Sequence, residues 1–173
     1  MLRQLAILIR LLFSPVFWRQ WVKRFRFFVH DNVLAIPRLA SLGAGTTISP
    51  SAAFAYPENI TLGMNCLINH NNRIYAGPET KIVLSDGVMV GPDVFMTADH
   101  FSESIKNSTA SHSGKAADVF IDRNVRIGAH SIILPGVSIG ENVAIGAGSV
   151  VTKNFPADVI IAGNPARIVK EKS

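Results

Sequence analysis

Branched aliphatic residues recur at every sixth position along much of the chain. An unbroken register runs over Ile121, Ile127, Ile133, Ile139, Ile145 and Val151. Upstream the same spacing continues in two shorter blocks, Leu62, Ile68, Ile74 and Leu84, Val90, Met96. An α-helix repeats every 3.6 residues and a strand every 2, so a period of six fits neither element alone.

Six residues make one short strand and a corner, and three such edges close a triangular coil of 18 residues. The aliphatic residue of each hexapeptide would point inward and stack on its counterpart one coil away. A glycine after it relieves crowding at the corner and allows unusual φ, while Asn and Asp suit further turn positions. Because each coil buries its core only against its neighbours, the pattern predicts a stacked, mainly β solenoid.

The N-terminal segment follows a different pattern. Residues 2–28 are predicted to be helical in two pieces, because Ser14 suits an N-cap and Pro15 the first helical position. The first apolar stretch is too short to span a bilayer, which needs about 20 residues. Residues 1–30 contain many aromatic side chains and six cationic side chains, and they contain no acidic residue. Two interpretations stay open: a helix packed on the domain or a neighbouring subunit, and an anchor on a membrane surface.

Charge and cysteine content exclude two classes of site. The chain carries 17 basic and 12 acidic side chains, and outside residues 1–30 the counts are 11 and 12, so the basic character belongs to the N-terminal segment. Nucleic-acid binding is therefore not expected. A single cysteine, Cys66, excludes an intramolecular disulfide and a cysteine-rich metal site.

The stretch "ILPGVSIGENVAIGAGSVVTKNFPADVIIAGNPARIVKE" resembles the hexapeptide-repeat acyltransferases, in particular the maltose, galactoside and polysaccharide O-acetyltransferase branch. The consecutive registers, together with VVTK, GNPA and RIV, carry the resemblance. It implies a left-handed parallel β-helix over residues 33–173, preceded by an N-terminal amphipathic helical segment over residues 1–32. An extruded loop is expected at about residues 99–118 and a C-terminal tail at about residues 157–173.

That branch implies an activity and an assembly. Its members use acetyl-CoA and usually form homotrimers, with active sites in clefts between adjacent β-helices. We therefore expect an O-acetyltransferase that acts on a sugar hydroxyl of a surface polysaccharide or lipid-linked oligosaccharide precursor. A cytoplasmic protein is expected, and residues 1–28 suggest a peripheral position on the inner face of a membrane.

The resemblance also assigns catalytic residues. His100, in "TADH" at the start of the loop, corresponds to the general base that deprotonates the hydroxyl as it attacks the thioester directly. Asn69, in "LINHNN", corresponds to an Asn that contacts the acceptor or the oxyanion, although a solvent-facing corner Asn fits the pattern equally well. His70 and His130 could face the acceptor and the donor respectively, or simply be exposed.

The donor site is assigned in the same way. Lys153 and Arg167 correspond to basic positions near the phosphates of CoA. The main-chain amides of Ala129 and Ala147, where small side chains let a ligand approach, correspond to pantetheine contacts. We expect no metal.

Three alternatives remain. N-acylation of a nucleotide-linked amino sugar uses the same fold, but relatives with that activity often carry an extra N-terminal domain that is not predicted here. A zinc enzyme of the carbonic-anhydrase-like branch would need His-x-x-x-x-His, whereas His100 and His112 are 12 residues apart. A scaffold without catalytic activity would bind no CoA.

Overall fold

The computed structural model describes residues 14–29, 33–99 and 116–172. These residues wind through short parallel strands into five stacked triangular coils, with three strands in each coil. Helix α1 (Pro15–Phe28) precedes the coils, and short 3-10 helices lie at Ile36–Arg38 and Pro57–Asn59. These observations confirm the mainly β, stacked parallel β-helix that the six-residue period predicted. The predicted N-terminal helix is also present.

Each coil contributes one strand to each of three sheets, and the sheets form the three faces of the triangle. In chain order the strands are β1 (Ser41–Leu42), β2 (Thr47–Ile48), β3 (Ala53–Ala55), β4 (Ile60–Leu62), β5 (Leu67–Ile68), β6 (Arg73–Tyr75), β7 (Ile82–Leu84), β8 (Met89–Val90), β9 (Phe95–Thr97), β10 (Val119–Ile121), β11 (Arg126–Ile127), β12 (Ile132–Ile133), β13 (Ser138–Ile139), β14 (Ala144–Ile145) and β15 (Val150–Val151). Sheet A contains β1, β4, β7, β10 and β13; sheet B contains β2, β5, β8, β11 and β14; sheet C contains β3, β6, β9, β12 and β15. We name the edges of the triangle the A–B, B–C and C–A corners after the sheets that they join.

The inward aliphatic residues form the core. Pairing is parallel and in register, so that Ile127 pairs with Ile145 and Ile133 with Val151, one coil away. All members of the six-residue register are at most 4% exposed: Leu62, Ile68, Ile74, Leu84, Val90, Met96, Ile121, Ile127, Ile133, Ile139, Ile145 and Val151. Burying one such side chain contributes about 1.5–3 kcal/mol, so the stack supplies the main stabilisation of the fold.

The glycine after an inward aliphatic residue is required by the close spacing of the coils. A Cβ added to Gly128 would lie 2.4 Å from the main-chain nitrogen of Ala147, and one on Gly140 would lie 2.5 Å from that of Ala157. Neither glycine has a positive φ. The predicted relief of crowding is thus confirmed, and the predicted unusual φ is wrong at these positions.

Positive φ instead occurs two residues further along most of the turns, where the chain bends toward the next sheet. The residues there are Gly45, Asn65, Asn71, Gly87, Asp93, Asn124, His130, Gly136, Asn142 and Gly148. Gly, Asn and Asp tolerate this conformation best, which confirms the turn role predicted for the Asn and Asp of the repeat.

Two parts of the solenoid lie beyond the predicted register. The first coil, β1 to β3, places Leu42, Ile48 and Phe54 six residues apart, but the 3-10 helix Pro57–Asn59 lengthens the step to Leu62 to eight. At the other end, residues expected as a tail form β16 (Val159–Gly163) and β17 (Ala166–Glu171). Strand β16 pairs with β14 in parallel and β17 returns antiparallel to β16, so sheet B extends past the fifth coil.

Helix α1 begins where the sequence predicts. The Ser14 hydroxyl oxygen accepts a hydrogen bond from the Phe17 main-chain N–H at 3.5 Å, and Pro15 follows as the first helical residue. The first of the two predicted helical pieces lies outside the described residues. Among the helices of the described part, none is long and apolar enough to cross a membrane.

Candidate active site

Four of the expected site residues lie along the B–C corner. Asn69 follows β5, Ala129 follows β11 and Ala147 follows β14, each just after a strand of sheet B. Arg167 pairs with Ala162 across β16 and β17, and a Cβ on Gly146 would lie 2.9 Å from the Cβ of Ala162. Arg167 therefore continues this corner beyond the fifth coil.

Ala129 and Ala147 present main-chain N–H groups on the outside of the corner. Neither N–H donates a hydrogen bond to another of the described residues, whereas the Ala129 carbonyl accepts one from Gly148 N at 2.8 Å. Ala147 is exposed and Ala129 is half-buried. Because the two residues lie one coil apart, they offer two donors about 4.8 Å from each other, a spacing that an extended ligand with amide carbonyls can follow.

Asn69 is held between the second and third coils. Its Nδ2 donates to the Val90 carbonyl at 3.0 Å, and its own carbonyl accepts from Asn72 Nδ2 at 2.9 Å. Asn72 is fully buried and accepts from Val94 N at 2.8 Å, which fixes this part of the corner. The hydrogen bond to Val90 fixes the orientation of the Asn69 carboxamide. Its Oδ1 atom and the second N–H of Nδ2 make no hydrogen bond with any of the described residues.

A histidine that the sequence left without a definite role stands beside Asn69. His70 Nδ1 lies 2.7 Å from Ser49 Oγ, which in turn lies 3.2 Å from Ser51 Oγ. Ser49 is buried and His70 is exposed, so the serine fixes one ring nitrogen and leaves the other side of the ring toward solvent. The adjacent position of His70 and Asn69 in the sequence was the available signal for this arrangement.

The predicted loop leaves the body at a different corner. Thr97 ends β9 and residues 98–99 follow it at the C–A corner, where Thr97 Oγ1 donates to the Asp99 carbonyl at 2.9 Å and accepts from Asp99 N at 3.2 Å. A Cβ on Gly77 would lie 2.9 Å from Asp99 Cγ, so the body packs closely against the start of the loop. His100 and His112 themselves lie outside the described residues.

Lys153 also lies at the C–A corner. It is exposed, and its Nζ stands 5.5 Å from the centroid of the Phe155 ring. Phe155 lines a groove of about 720 Å³ on the outer face of sheet A, together with Phe120, Ser138 and Asn154. Lys153 follows Ala147 by six residues, which places it one corner further along the same coil.

The structure therefore divides the expected site between two corners. Asn69, Ala129, Ala147 and Arg167 belong to the B–C corner, while Lys153 and the start of the loop belong to the C–A corner. Six residues of extended chain span roughly 20 Å, so sheet C separates the two groups within one subunit. The sequence contained this division, because residues 18 apart share a corner and residues six apart do not.

The lone cysteine is part of the core. Cys66 is buried, and its Sγ donates to the Ser85 carbonyl at 3.1 Å. Burial raises the pKa of the Cys66 thiol, which keeps it protonated and unreactive at neutral pH. In the described ranges no group of three His, Cys, Asp or Glu side chains is placed to hold a metal ion.

Comparison with known proteins agrees with this architecture. Residues 118–153 match the family model "Bacterial transferase hexapeptide (six repeats)". Nodulation protein L of Rhizobium meliloti is 35% identical over 154 residues, which cover 86% of this chain and 82% of that protein. The chain belongs to the hexapeptide-repeat acetyltransferases.

Two further relatives carry activities in their names. Galactoside O-acetyltransferase of Escherichia coli is 34% identical over 134 residues, covering 76% of this chain but only 64% of that enzyme's length. A solved galactoside acetyltransferase in complex with coenzyme A superposes with a TM-score of 0.68 at 32% identity, covering 82% of this chain and 69% of that one. An acetyltransferase is therefore the activity class of this family member.

Proposed function

We propose that the protein is an acetyl-CoA-dependent O-acetyltransferase that transfers an acetyl group to a sugar hydroxyl. The observation that carries the proposal is the B–C corner, where the outward N–H groups of Ala129 and Ala147 form a line that ends at Arg167. The solved relative with coenzyme A and the galactoside O-acetyltransferase relative support the donor and the acceptor class.

The donor fits the chemistry of this corner. Pantetheine carries two amide groups in an extended chain, and their carbonyls can accept from the N–H groups of Ala129 and Ala147. The small side chains there allow a ligand to reach the main chain. The Arg167 guanidinium is exposed at the end of the line, where it can pair with a phosphate of CoA.

A homotrimer would complete the site. In one subunit sheet C separates Lys153 and the start of the loop from the B–C corner. If the C–A corner of one subunit lies against the B–C corner of its neighbour, both sets of residues line one cleft. Lys153 would then supply a second cation for the CoA phosphates, and the loop that contains His100 would begin beside the same cleft.

The proposed reaction is a direct transfer. The sugar hydroxyl oxygen attacks the thioester carbonyl carbon while the His100 imidazole accepts the hydroxyl proton. The resulting oxyanion receives a hydrogen bond, for which the oriented amide of Asn69 is the candidate donor. Collapse breaks the carbon–sulfur bond, and the imidazolium returns the proton to the departing CoA thiolate. Acetylated sugar and CoA are the products.

The acceptor is proposed to be a saccharide of a surface polysaccharide or of a lipid-linked oligosaccharide precursor, modified in the cytoplasm. A large acceptor can reach this corner from solvent, because His70 is exposed and Asn69 is half-buried. N-acylation of an amino sugar uses the same geometry, so both kinds of acceptor belong in the test.

The test is a CoA-release assay with acetyl-CoA and a panel of galactosides, maltose and nucleotide-linked amino sugars. We expect turnover with hydroxyl acceptors, and a fall in kcat of about 10²–10⁴ for His100→Ala, the typical contribution of a positioned base. His112→Ala, in the same loop, is the matched control and should keep the wild-type rate.

Turnover with amino sugars alone would show that the acetyl group is transferred to nitrogen and not to a hydroxyl oxygen. An unchanged kcat in His100→Ala would remove the assigned base. Absence of CoA release with every acceptor, in protein that binds acetyl-CoA, would refute the proposed acceptor class.

A further inference from the structure

Helix α1 carries a continuous stripe of aromatic side chains along one side. Trp18, Trp21, Phe25 and Phe28 are spaced three or four residues apart, which places them on one face of a helix. The rings from Trp18 to Phe25 contact one another, with centroids 5.7 Å apart for Trp18 and Trp21 and 5.2 Å apart for Trp21 and Phe25. The stripe is therefore a single apolar surface.

That surface is open to solvent. The four side chains are 43–51% exposed, and across α1 every described side chain is exposed or half-exposed. A soluble helix normally buries such a face against the body of its own protein. Large contiguous apolar patches on a folded protein mark a contact surface, and the exposure of this stripe makes it a candidate for one.

The charges of α1 indicate which occupant. At 3.6 residues per turn, Arg19, Lys23 and Arg26 lie on the side opposite the aromatic stripe, and Arg24 lies at its border. The described residues 14–29 contain no acidic side chain. Tryptophan favours the boundary between lipid and water, and flanking cations are attracted to anionic head groups.

We propose that α1 lies in the plane of an anionic lipid surface, with the aromatic stripe in the outer acyl region and the cations at the head groups. A second copy of the chain fits less well, because two such helices would bring eight cations together without an acid to pair with them. The inference does not depend on the reaction that the coils catalyse.

The two tryptophans make a direct test available. Trp18 and Trp21 are the only tryptophans in the sequence, so the tryptophan fluorescence of the full chain, excited selectively over tyrosine, reports on α1 alone. The protein is titrated with phosphatidylcholine vesicles that contain about one third phosphatidylglycerol, and with pure phosphatidylcholine vesicles. We expect a blue shift and protection from acrylamide with the anionic vesicles, weakening as salt screens the charges.

Charge variants sharpen the test. Neutralising Arg19, Lys23 and Arg26 to Gln should lower the vesicle partition coefficient by about two orders of magnitude, from the usual contribution of one basic residue near such a surface. Neutralising Lys81, Arg123 and Lys172, which lie on the coils and the C-terminal end, removes the same charge and should leave partitioning near the wild-type value.

Three results would overturn the proposal. One is unchanged fluorescence with anionic vesicles. Another is equal loss of partitioning in the two triple variants. The third is a blue shift that depends on protein concentration without lipid, which would assign the stripe to a second copy of the chain.

Discussion

Apolar side chains are buried in the coils but exposed in helix α1. Ile133 in the coils is fully buried, whereas Trp21 in α1 is 47% exposed. Both belong to regular apolar patterns, one with a period of six and the other with helical spacing. The difference is that Ile133 has a partner 18 residues away in the next coil, while Trp21 contacts the rings of Trp18 and Phe25 in its own helix. A periodic pattern thus predicts an element, and only a second, matching pattern buries it.

The largest expected effect lies in the core of the coils. Ile133→Ala should lower the free energy of unfolding by about 2–5 kcal/mol, because it removes buried methyl groups and leaves a cavity that the neighbouring coils cannot fill. Met89→Ala, on the outer face of sheet B at 40% exposure, is the control and should cost under about 1 kcal/mol. Urea unfolding followed by far-ultraviolet circular dichroism, at one protein concentration, measures both. Equal losses would contradict the stacked core.

Substitutions at two glycines distinguish the stability cost of crowding between coils from the stability cost of an unfavourable turn conformation. Gly128→Ala places a Cβ 2.4 Å from the Ala147 nitrogen and should cost about 1–3 kcal/mol, because main chain has to move. Gly148→Ala meets nothing within 4 Å, and its cost of about 1 kcal/mol comes from φ +69° alone. The same unfolding measurement ranks the two. If Gly148→Ala lowered the free energy of unfolding more than Gly128→Ala, the spacing of the coils would not be the reason for a glycine at position 128.

The smallest effect is expected in α1. Trp21→Gln should change the free energy of unfolding by no more than about 0.5 kcal/mol, since the side chain is exposed and packs mainly on other residues of the same helix. Destabilisation comparable to that of Ile133→Ala would mean that α1 packs on the coils or on another subunit.

Much of the fold could be predicted because one register explains most of the coils. Ile121 to Val151 are spaced by six without interruption, and each lies where the period places it. The predicted β-helix over residues 33–173 included the first coil, but the six-residue register was not followed into it. The reason is that the step from Phe54 to Leu62 is eight residues, which breaks the register at a 3-10 helix. The hairpin of β16 and β17 was missed because an antiparallel return no longer follows a period of six.

The site could be predicted only residue by residue. Similarity to a family indicated Asn69, Ala129, Ala147, Lys153 and Arg167 but not which of them share a corner. For Ala129, Ala147 and Lys153 that information lay in the spacings of 18 and six residues. The hydrogen bond between His70 and Ser49 was also invisible, because it joins two coils whose separation is not a multiple of 18.

The central claim is that the B–C corner binds the acetyl donor. Acetyl-CoA binding by proline variants of the corners tests this claim most directly. In the third coil Pro92 already occupies the turn position that Ala129 and Ala147 occupy in the fourth and fifth, so proline there removes the N–H with little strain. Ala44 has the same turn position at the A–B corner, before Gly45, and Ala44→Pro is the matched control. Calorimetric titration should show binding about 3–10-fold weaker for Ala147→Pro, as expected for one lost hydrogen bond, and unchanged for Ala44→Pro. Equal affinity in Ala147→Pro and the wild type, or no binding of acetyl-CoA by either, would contradict a donor site on the B–C corner.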